Sequence, residues 1–355
     1  MNNTILIAAG GTGGHIYPGL ALARVIRERG SKVLFVIKEN DPSKEILNNE
    51  KFGFIEIPAF GLPRKFSLNI FKFLLFLFLG FFRAWRIIKT IKPKAVYGMG
   101  GYVSFPVVLA AKLKGFKVIV HEQNVLPGLT NRILSKFVDK VAISFNESIK
   151  YFNSKKVVLT GNPFRPEIFK VSYEDSIKKL GLIPNKFSVL VFGGSQGAAF
   201  INRCVLEAWN TLNSFKDRMQ FIHIAGKKEY DRLNTEYNKA GIPGKVFPYI
   251  NDIGNAYEAA DLIICRSGAM TISELKILNK PAILIPFPYA TANHQEYNAR
   301  MLEKEGKAKV IIEKDLNPEK LAKEITDYLK SFSGHKKELK IPKVLPQDIL
   351  ADLIF

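Results

Sequence analysis

Acidic side chains are missing from a long stretch of this 355-residue chain. Between Glu56 and Glu122 there is no Asp or Glu, while 11 Lys and Arg lie there. Cysteine is scarce too. The two present, Cys204 and Cys265, exclude a disulfide framework and fit a reducing compartment. The longest run without a polar side chain, Phe73–Phe82, is ten residues, against the ~20 that a membrane-spanning helix needs. A mean hydropathy of +0.03 excludes a polytopic membrane protein. The N-terminal MNNTILIAAGG has neither the basic region nor the apolar core of a secretory leader, so a cytosolic protein is expected. The P-loop pattern G-x-x-x-x-G-K-[ST] occurs nowhere, there is no Asp-x-Asp, and no two His stand at i, i+4. Glu39/Asp41 and Glu313/Asp315 have acid-x-Asp spacing but lie in Lys-containing polar stretches that read as solvated surface. Neither a metal nor any other cofactor is therefore expected.

What is present is ordinary in bulk and uneven in distribution. Hydrophobic residues make up 47% and charged residues 24%, which excludes a disordered chain, a collagen and a coiled coil. The length favours two domains. The net charge is +20. Residues 1–160 carry 24 basic and 9 acidic groups, and residues 161–355 carry 28 and 23. The excess thus sits in the first half, as a field for polyanions, either nucleic acid or an anionic membrane surface. Residues 60–82 hold eight of the 27 Phe. Basic residues flank this segment on both sides: Arg64 and Lys65 before, Arg83, Arg86 and Lys89 after. It reads as a buried core helix, an interfacial helix or a short spanning helix.

Short β-branched runs alternate with helical stretches. Strands are predicted at Ile5–Ala9, Val33–Ile37, Ala95–Tyr97, Val118–Val120, Val141–Ile143 and Val157–Leu159. A second series follows at Val189–Phe192, Phe221–Ile224, Val246–Pro248, Leu262–Cys265 and Ala282–Ile285. Runs apolar on both faces belong to parallel sheets covered by helices, so the fold class is α/β and doubly wound. Thr4–His15 (TILIAAGGTGGH) resembles Phe187–Ala198 (FSVLVFGGSQGA). Each reads as a strand, a glycine-rich turn and a helix start, which predicts two Rossmann-like domains, 1–162 and 163–343. The linker falls near Gly161–Glu167, and a terminal helix at 344–355 is expected to pack back on the first domain.

Gly10-Gly11-Thr12-Gly13-Gly14-His15 is not the dinucleotide fingerprint, because Ile16 stands where its third Gly would be. A glycine turn entering a helix still suits an anion, through exposed N–H groups and the helix dipole, or is simply a tight turn. The second loop, Gly193–Gly197, adds the Ser195 hydroxyl. His15 lies at a helix start whose positive end disfavours imidazolium, so it is either a general base or a structural residue closing the turn. Thr271 and Glu274 have capping-box spacing; alternatively, Glu274 accepts hydrogen bonds from a ribose diol. Asn293-His294-Gln295 is a loop or a set of sugar-binding amides.

These motifs, in this order, resemble the MurG-type family of bacterial N-acetylglucosaminyltransferases, which act on lipid I to make the peptidoglycan precursor lipid II. GGTGGH-x-x-P-x-L-A runs from Gly10 to Ala21, GMGGY-x-S-x-P from Gly98 to Pro106, and HEQN-x-x-x-G-x-x-N from His121 to Asn131. GNP-x-R ends at Arg165, GGSQGA begins at Gly193, and RSGA-x-T-x-x-E ends at Glu274. The resemblance covers nearly the whole chain. It implies the GT-B architecture, two Rossmann-like domains facing a cleft, and an inverting transfer from UDP-N-acetylglucosamine (UDP-GlcNAc) without a metal. His15 and Glu274 are the residues implied for the chemistry. His15 is the candidate base, for which Glu122 or a water could substitute, and Glu274 holds the ribose. The second domain would bind the donor: Ile250 at the uracil, Gly194, Ser195 and Gln196 at the diphosphate with Arg165, and Ser267, Gly268, Ala269, Met270, Thr271 and Gln295 around the nucleotide and sugar. Gln295 follows His294, where some members have two adjacent Gln. Thr12, Gly13, Gly14 and Asn124 would complete the donor contacts. Thr12, His15, Tyr102 and Asn124 would hold the diphosphate-lipid acceptor. The membrane-facing patch falls on Phe73, Leu74, Phe76, Leu77, Phe78, Phe81 and Trp85. A peripheral place on the cytoplasmic face of the inner membrane follows, with no nucleic-acid partner. A soluble UDP-sugar enzyme of the same fold, such as an epimerase, and a basic nucleic-acid-binding protein are the other readings.

Overall fold

A computed structural model describes residues 3–11, 13–63, 69–194, 197–334 and 343–355. The chain divides into two compact units, Met1–Arg165 with Pro342–Phe355, and Pro166–Ile341. The break follows Arg165, not Asn162.

The first unit runs β1 (Thr4–Ala8), α1 (Gly13–Glu28), β2 (Lys32–Lys38), α2 (Ser43–Asn49), β3 (Gly53–Ile57), α3 (Asn69–Ile91), β4 (Ala95–Gly98), α4 (Gly101–Leu113), β5 (Lys117–Glu122), α5 (Leu129–Leu134), β6 (Lys140–Ile143) and β7 (Val157–Leu159). Its strands form one sheet in the order β3-β2-β1-β4-β5-β6-β7, and every pairing is parallel. β1 is buried at every position, because helices cover both faces of the sheet. The chain order reverses at β1, which pairs with β2 on one side and β4 on the other. The carboxyl ends of two strands at such a reversal open a crevice, where ligands of doubly wound sheets bind.

The second unit runs α6 (Tyr173–Leu180), β8 (Phe187–Phe192), α7 (Ala199–Leu212), β9 (Met219–Ile224), α8 (Tyr230–Ala240), β10 (Gly244–Phe247), α9 (Ile253–Ala259), β11 (Leu262–Cys265), α10 (Ala269–Leu278), β12 (Ala282–Leu284), α11 (His294–Lys304), β13 (Ala308–Val310) and α12 (Pro318–Ser331). Its parallel sheet has the order β10-β9-β8-β11-β12-β13, and the reversal falls between β8 and β11. The last helix, α13 (Pro346–Asp352), belongs to the first unit. It packs there on α1, where Leu350 and Ala351 join the core and the Tyr97 hydroxyl donates to the Leu350 carbonyl at 2.7 Å.

β3 and β13 were not foreseen from the sequence. Both are edge strands. An edge strand is only partly covered, so Gly53–Ile57 and Ala308–Val310 tolerate Glu56 and Lys309 and show no continuous apolar run.

Candidate functional site

The first glycine loop leaves β1 at the reversal point, and the Gly98–Gly101 loop leaves β4 beside it. His15, the third residue of α1, is half-buried against that second loop. A Cβ on Gly100 would lie 3.1 Å from His15 Nε2, and one on Gly101 would lie 3.4 Å from its Nδ1. Both glycines have positive φ, 88° and 74°, and both carry the close approach of the imidazole. Ser104 ties the loops together. Its hydroxyl lies 2.9 Å from the Ala8 carbonyl and 2.6 Å from that of Gly100. Asp41 anchors the first loop from behind: Oδ2 accepts from Gly11 N–H at 2.8 Å and Oδ1 from Ser43 N–H at 3.0 Å. At 3% exposure, Asp41 is not the solvated surface acid its context suggested.

Behind this loop pair lies a buried polar chain. Gln123 Nε2 donates to the Met99 carbonyl at 2.8 Å and to His121 Nδ1 at 3.1 Å. His121 must then donate from Nε2, to the Gly161 carbonyl of the linker at 3.0 Å. Burial, with a smaller effect of nearby His15, lowers the His121 pKa to about 4, so the ring is neutral near pH 7. Glu122 is no substitute base. Its Oε1 accepts from the backbone and side-chain N–H of Asn124, its Oε2 from Gly128 N–H and Asn131 Nδ2. With 2% exposure the carboxylate has its lone pairs engaged and organises the Asn124–Gly128 turn. Burial still raises its pKa, against the lowering by these donors. Tyr102 is exposed, with its ring 6.4 Å from that of Phe73, and the Arg165 guanidinium stacks on Tyr17 at 5.3 Å.

In the second unit, the glycine loop after β8 and the Arg266–Gly268 turn after β11 leave adjacent strands at the reversal. Gly193 and Gly197 permit tight packing: a Cβ on Gly197 would meet the Ala225 carbonyl at 2.2 Å. That carbonyl is held by a directed buried chain. The Tyr237 hydroxyl donates to His223 Nδ1 at 2.7 Å, His223 Nε2 donates to Asn202 Oδ1 at 3.1 Å, and Asn202 Nδ2 donates to Ala225 O at 3.0 Å. Burial lowers the His223 pKa to about 3. This support was invisible in the sequence, because its members lie on β9, α7 and α8.

α10 begins after Gly268, which caps it without a side chain. Thr271 is therefore inside the helix and Glu274 a turn further on, which excludes the capping box. Glu274 is 7% exposed, and its Oε2 accepts from the Tyr257 hydroxyl at 2.8 Å. Gly268 and the first-turn residues Ala269, Met270 and Thr271 present a helix N-terminus, whose first N–H groups have no partner within the helix. Ser267 is fully buried, and its hydroxyl donates to the Gln295 carbonyl at 2.8 Å, so its side chain holds the loop. Gln295 Oε1 accepts from Phe287 N–H at 3.0 Å, which leaves its NH2 group as donor. His294 Nδ1 donates to Thr291 O at 2.8 Å and closes a turn in which Ala292 and Asn293 take left-handed φ. Glu313, also read as surface, pairs with buried Arg266 at 2.5 Å. Arg266 in turn donates to the carbonyls of Ile285 and Pro286 at 3.2 and 3.1 Å. Ile250 is half-buried in the turn between β10 and α9. Thr12, Ser195 and Gln196 lie outside the described residues. Among the described residues, no group of three His, Cys, Asp or Glu could hold a metal.

α3 is not a buried core helix, and no described helix is long and apolar enough to cross a membrane. Gly80, Ala84, Ile87 and Ile88 face inward; a Cβ on Gly80 would strike the Pro58 carbonyl at 2.5 Å. The outward stripe is Phe71, Leu74, Leu75, Phe78, Leu79 and Phe82, each at least 44% exposed. The residues of the expected patch divide between this stripe and the flanks of the helix. Leu74 and Phe78 are on the stripe. Phe73, Phe76, Leu77, Phe81 and Trp85 are half-buried on the flanks of the helix, where Phe76 meets Phe60 and Lys114 covers Trp85 at 3.8 Å. The helical period, not the length of the run, decides which side is exposed.

Two Rossmann-like units, each with a glycine loop at its reversal point, give the chain the GT-B architecture of glycosyltransferases. Residues 5–143 match the glycosyltransferase family 28 N-terminal domain and residues 188–341 its C-terminal domain. The chain is 45% identical over 343 residues to the UDP-N-acetylglucosamine–N-acetylmuramyl-(pentapeptide) pyrophosphoryl-undecaprenol N-acetylglucosamine transferase of Caldanaerobacter subterraneus, covering 94% of this chain and 93% of that one. It is 46% identical to the enzyme of the same name from Acetivibrio thermocellus, covering 92% and 89%. The crystal structure of Acinetobacter baumannii MurG superimposes with a TM-score of 0.76 at 29% identity, over 99% of this chain and 98% of that one. The chain belongs to glycosyltransferase family 28, among the MurG-type N-acetylglucosaminyltransferases. The UDP-GlcNAc 2-epimerase of Neisseria meningitidis shares the fold at a TM-score of 0.64 and 14% identity, covering 99% and 98%.

Proposed function

We propose that this chain moves N-acetylglucosamine from UDP-GlcNAc to the C4 hydroxyl of the muramyl sugar of lipid I, at the cytoplasmic face of the membrane. The observation that carries this reading is 45% identity along 94% of the chain to an enzyme whose name states that transfer. The hydroxyl oxygen attacks the anomeric carbon, the bond from that carbon to the phosphate oxygen breaks, and UDP leaves from the opposite face. His15 takes the hydroxyl proton. Its position against Gly100 and Gly101 supports this role, since a general base must be fixed within hydrogen-bond reach of the group it deprotonates. Negative charge growing on the diphosphate is stabilised by the positive end of α7 behind Gly193–Ala198 and by Arg165. The first-turn N–H groups of α10, the Gln295 amide and Glu274 orient the nucleotide sugar, and Tyr257 orients Glu274. No metal is required in this scheme.

The test is transfer of labelled sugar from UDP-GlcNAc to a lipid I analogue, in EDTA, by the wild-type chain and His15→Ala. Wild-type transfer with a kcat lowered about 100-fold or more in the variant supports the reading. An unchanged kcat removes His15 as base, and a requirement for Mg²⁺ removes the metal-free scheme.

A further inference from the structure

Part of the outward stripe of α3 also forms the wall of a groove of about 300 Å³ between α3 and α4, lined wholly by Leu, Phe and Pro side chains: Leu74 and Phe78 of the stripe with Leu77, Phe81, Phe105 and Leu109 among them. We infer that this groove takes the first isoprene units of the acceptor's lipid tail. The inference rests on the reading of Tyr102, with His15 and Asn124, as part of the site that holds the diphosphate-lipid acceptor.

Three observations carry it. Tyr102 stands in the first turn of α4, Phe105 and Pro106 one turn further, and Leu109 a turn beyond. At 1.5 Å per residue, the groove therefore begins within about 5 Å of Tyr102 along the helix axis. The Phe73 ring meets the Tyr102 ring at 6.4 Å, so α3 reaches α4 beside Tyr102. The relatives' acceptor is named as a pyrophosphoryl-undecaprenol, in which the first isoprene unit is bonded directly to the diphosphate. A diphosphate held beside Tyr102 thus delivers a branched hydrocarbon to the mouth of a hydrocarbon-lined slot. The slot is too small for the whole tail, whose remainder would continue into the bilayer beside the outward stripe.

The test is run without detergent, first without vesicles and then with anionic vesicles added. Acceptors carry the same muramyl-peptide diphosphate with a methyl group, one, two or three isoprene units, at concentrations below self-association. Wild-type kcat/KM should rise with each added unit until the groove is full. Two variants probe the slot in opposite ways: Leu109→Asn makes it polar, and Leu77→Trp fills it. Both positions are half-buried, and thermal melts check folding. Each variant should flatten the tail-length dependence, losing about tenfold in the gain between methyl and three isoprene units. A wild-type kcat/KM indifferent to tail length overturns the inference, as does a dependence that survives in both variants. A dependence that appears only when anionic vesicles are added assigns the apolar surface to bilayer acyl chains and also overturns it. Absence of transfer from UDP-GlcNAc to any acceptor by the wild-type chain would instead remove the underlying reading.

Discussion

A methyl group on Gly100 would sit 3.1 Å from Nε2 of His15. Gly100 has a φ of 88°, so alanine there adds backbone strain to the collision. Gly100→Ala should push the imidazole off its seat, lower kcat at least about tenfold and cost about 1–3 kcal/mol of stability. Steady-state kinetics with both substrates varied, and urea unfolding, check this. A wild-type kcat in a folded variant would show that the seat of His15 does not matter to the reaction.

Glu274 and Tyr257 should act together on the donor. Tyr257→Phe removes one hydrogen bond to the carboxylate and should raise the UDP-GlcNAc dissociation constant about fivefold. Glu274→Ala should raise it more, because it also leaves the buried Tyr257 hydroxyl without this partner. Calorimetric titration with UDP-GlcNAc measures both. Equal affinities in wild type and Glu274→Ala would remove Glu274 from donor binding.

Two buried neutral histidines make stability depend on pH. The folded pKa values of His121 and His223 are lowered to about 4 and about 3, against about 6.5 in the unfolded chain. As pH falls below 6.5 the unfolded state takes up protons that the folded state refuses, so stability is full above 6.5 and is lost on acidification. Each group contributes a slope of about 1.4 kcal/mol per pH unit, down to pH 4 for His121 and pH 3 for His223. Urea midpoints between pH 4 and 7 test this. His223→Gln should be less stable at pH 7 yet lose less on acidification, and an unchanged slope would contradict the neutral buried ring.

The outward stripe of α3 should bind membranes. Replacing Phe71, Leu75 and Phe82 by Ser should remove about 3 kcal/mol or more of transfer energy, which is over a hundredfold in partitioning. Cosedimentation with anionic vesicles measures it. The flanking cations make the remaining attraction salt-dependent. Binding as tight as wild type would mean the stripe is not the docking face.

Much of this was legible in the chain itself. Ile5–Ala9 and Val189–Phe192 announce buried parallel strands, because a sheet covered on both faces needs apolar residues at consecutive positions. The loops that follow announce themselves by glycine, because positive φ and close approach leave little choice. Asp41 and Glu313 were misread because burial of an acid is set by neighbours from other elements. Asp41 meets Gly11 and Ser43, and Glu313 meets Arg266.

The sequence by itself determined the two-unit α/β plan, the glycine turns, the apolar segment and the family, since each is written in local pattern or ordered motif. Only the tertiary structure decided what the side chains do. It closed Glu122 within a turn, buried Ser267, freed Glu274 from a capping role, and built supports for the loops from His121 and His223. It also gave the Phe-rich run an inward side and an outward stripe, part of which walls a groove against α4. The reason is physical: burial and hydrogen-bond partnership belong to contacts between segments distant in the chain, and a one-dimensional pattern does not carry them.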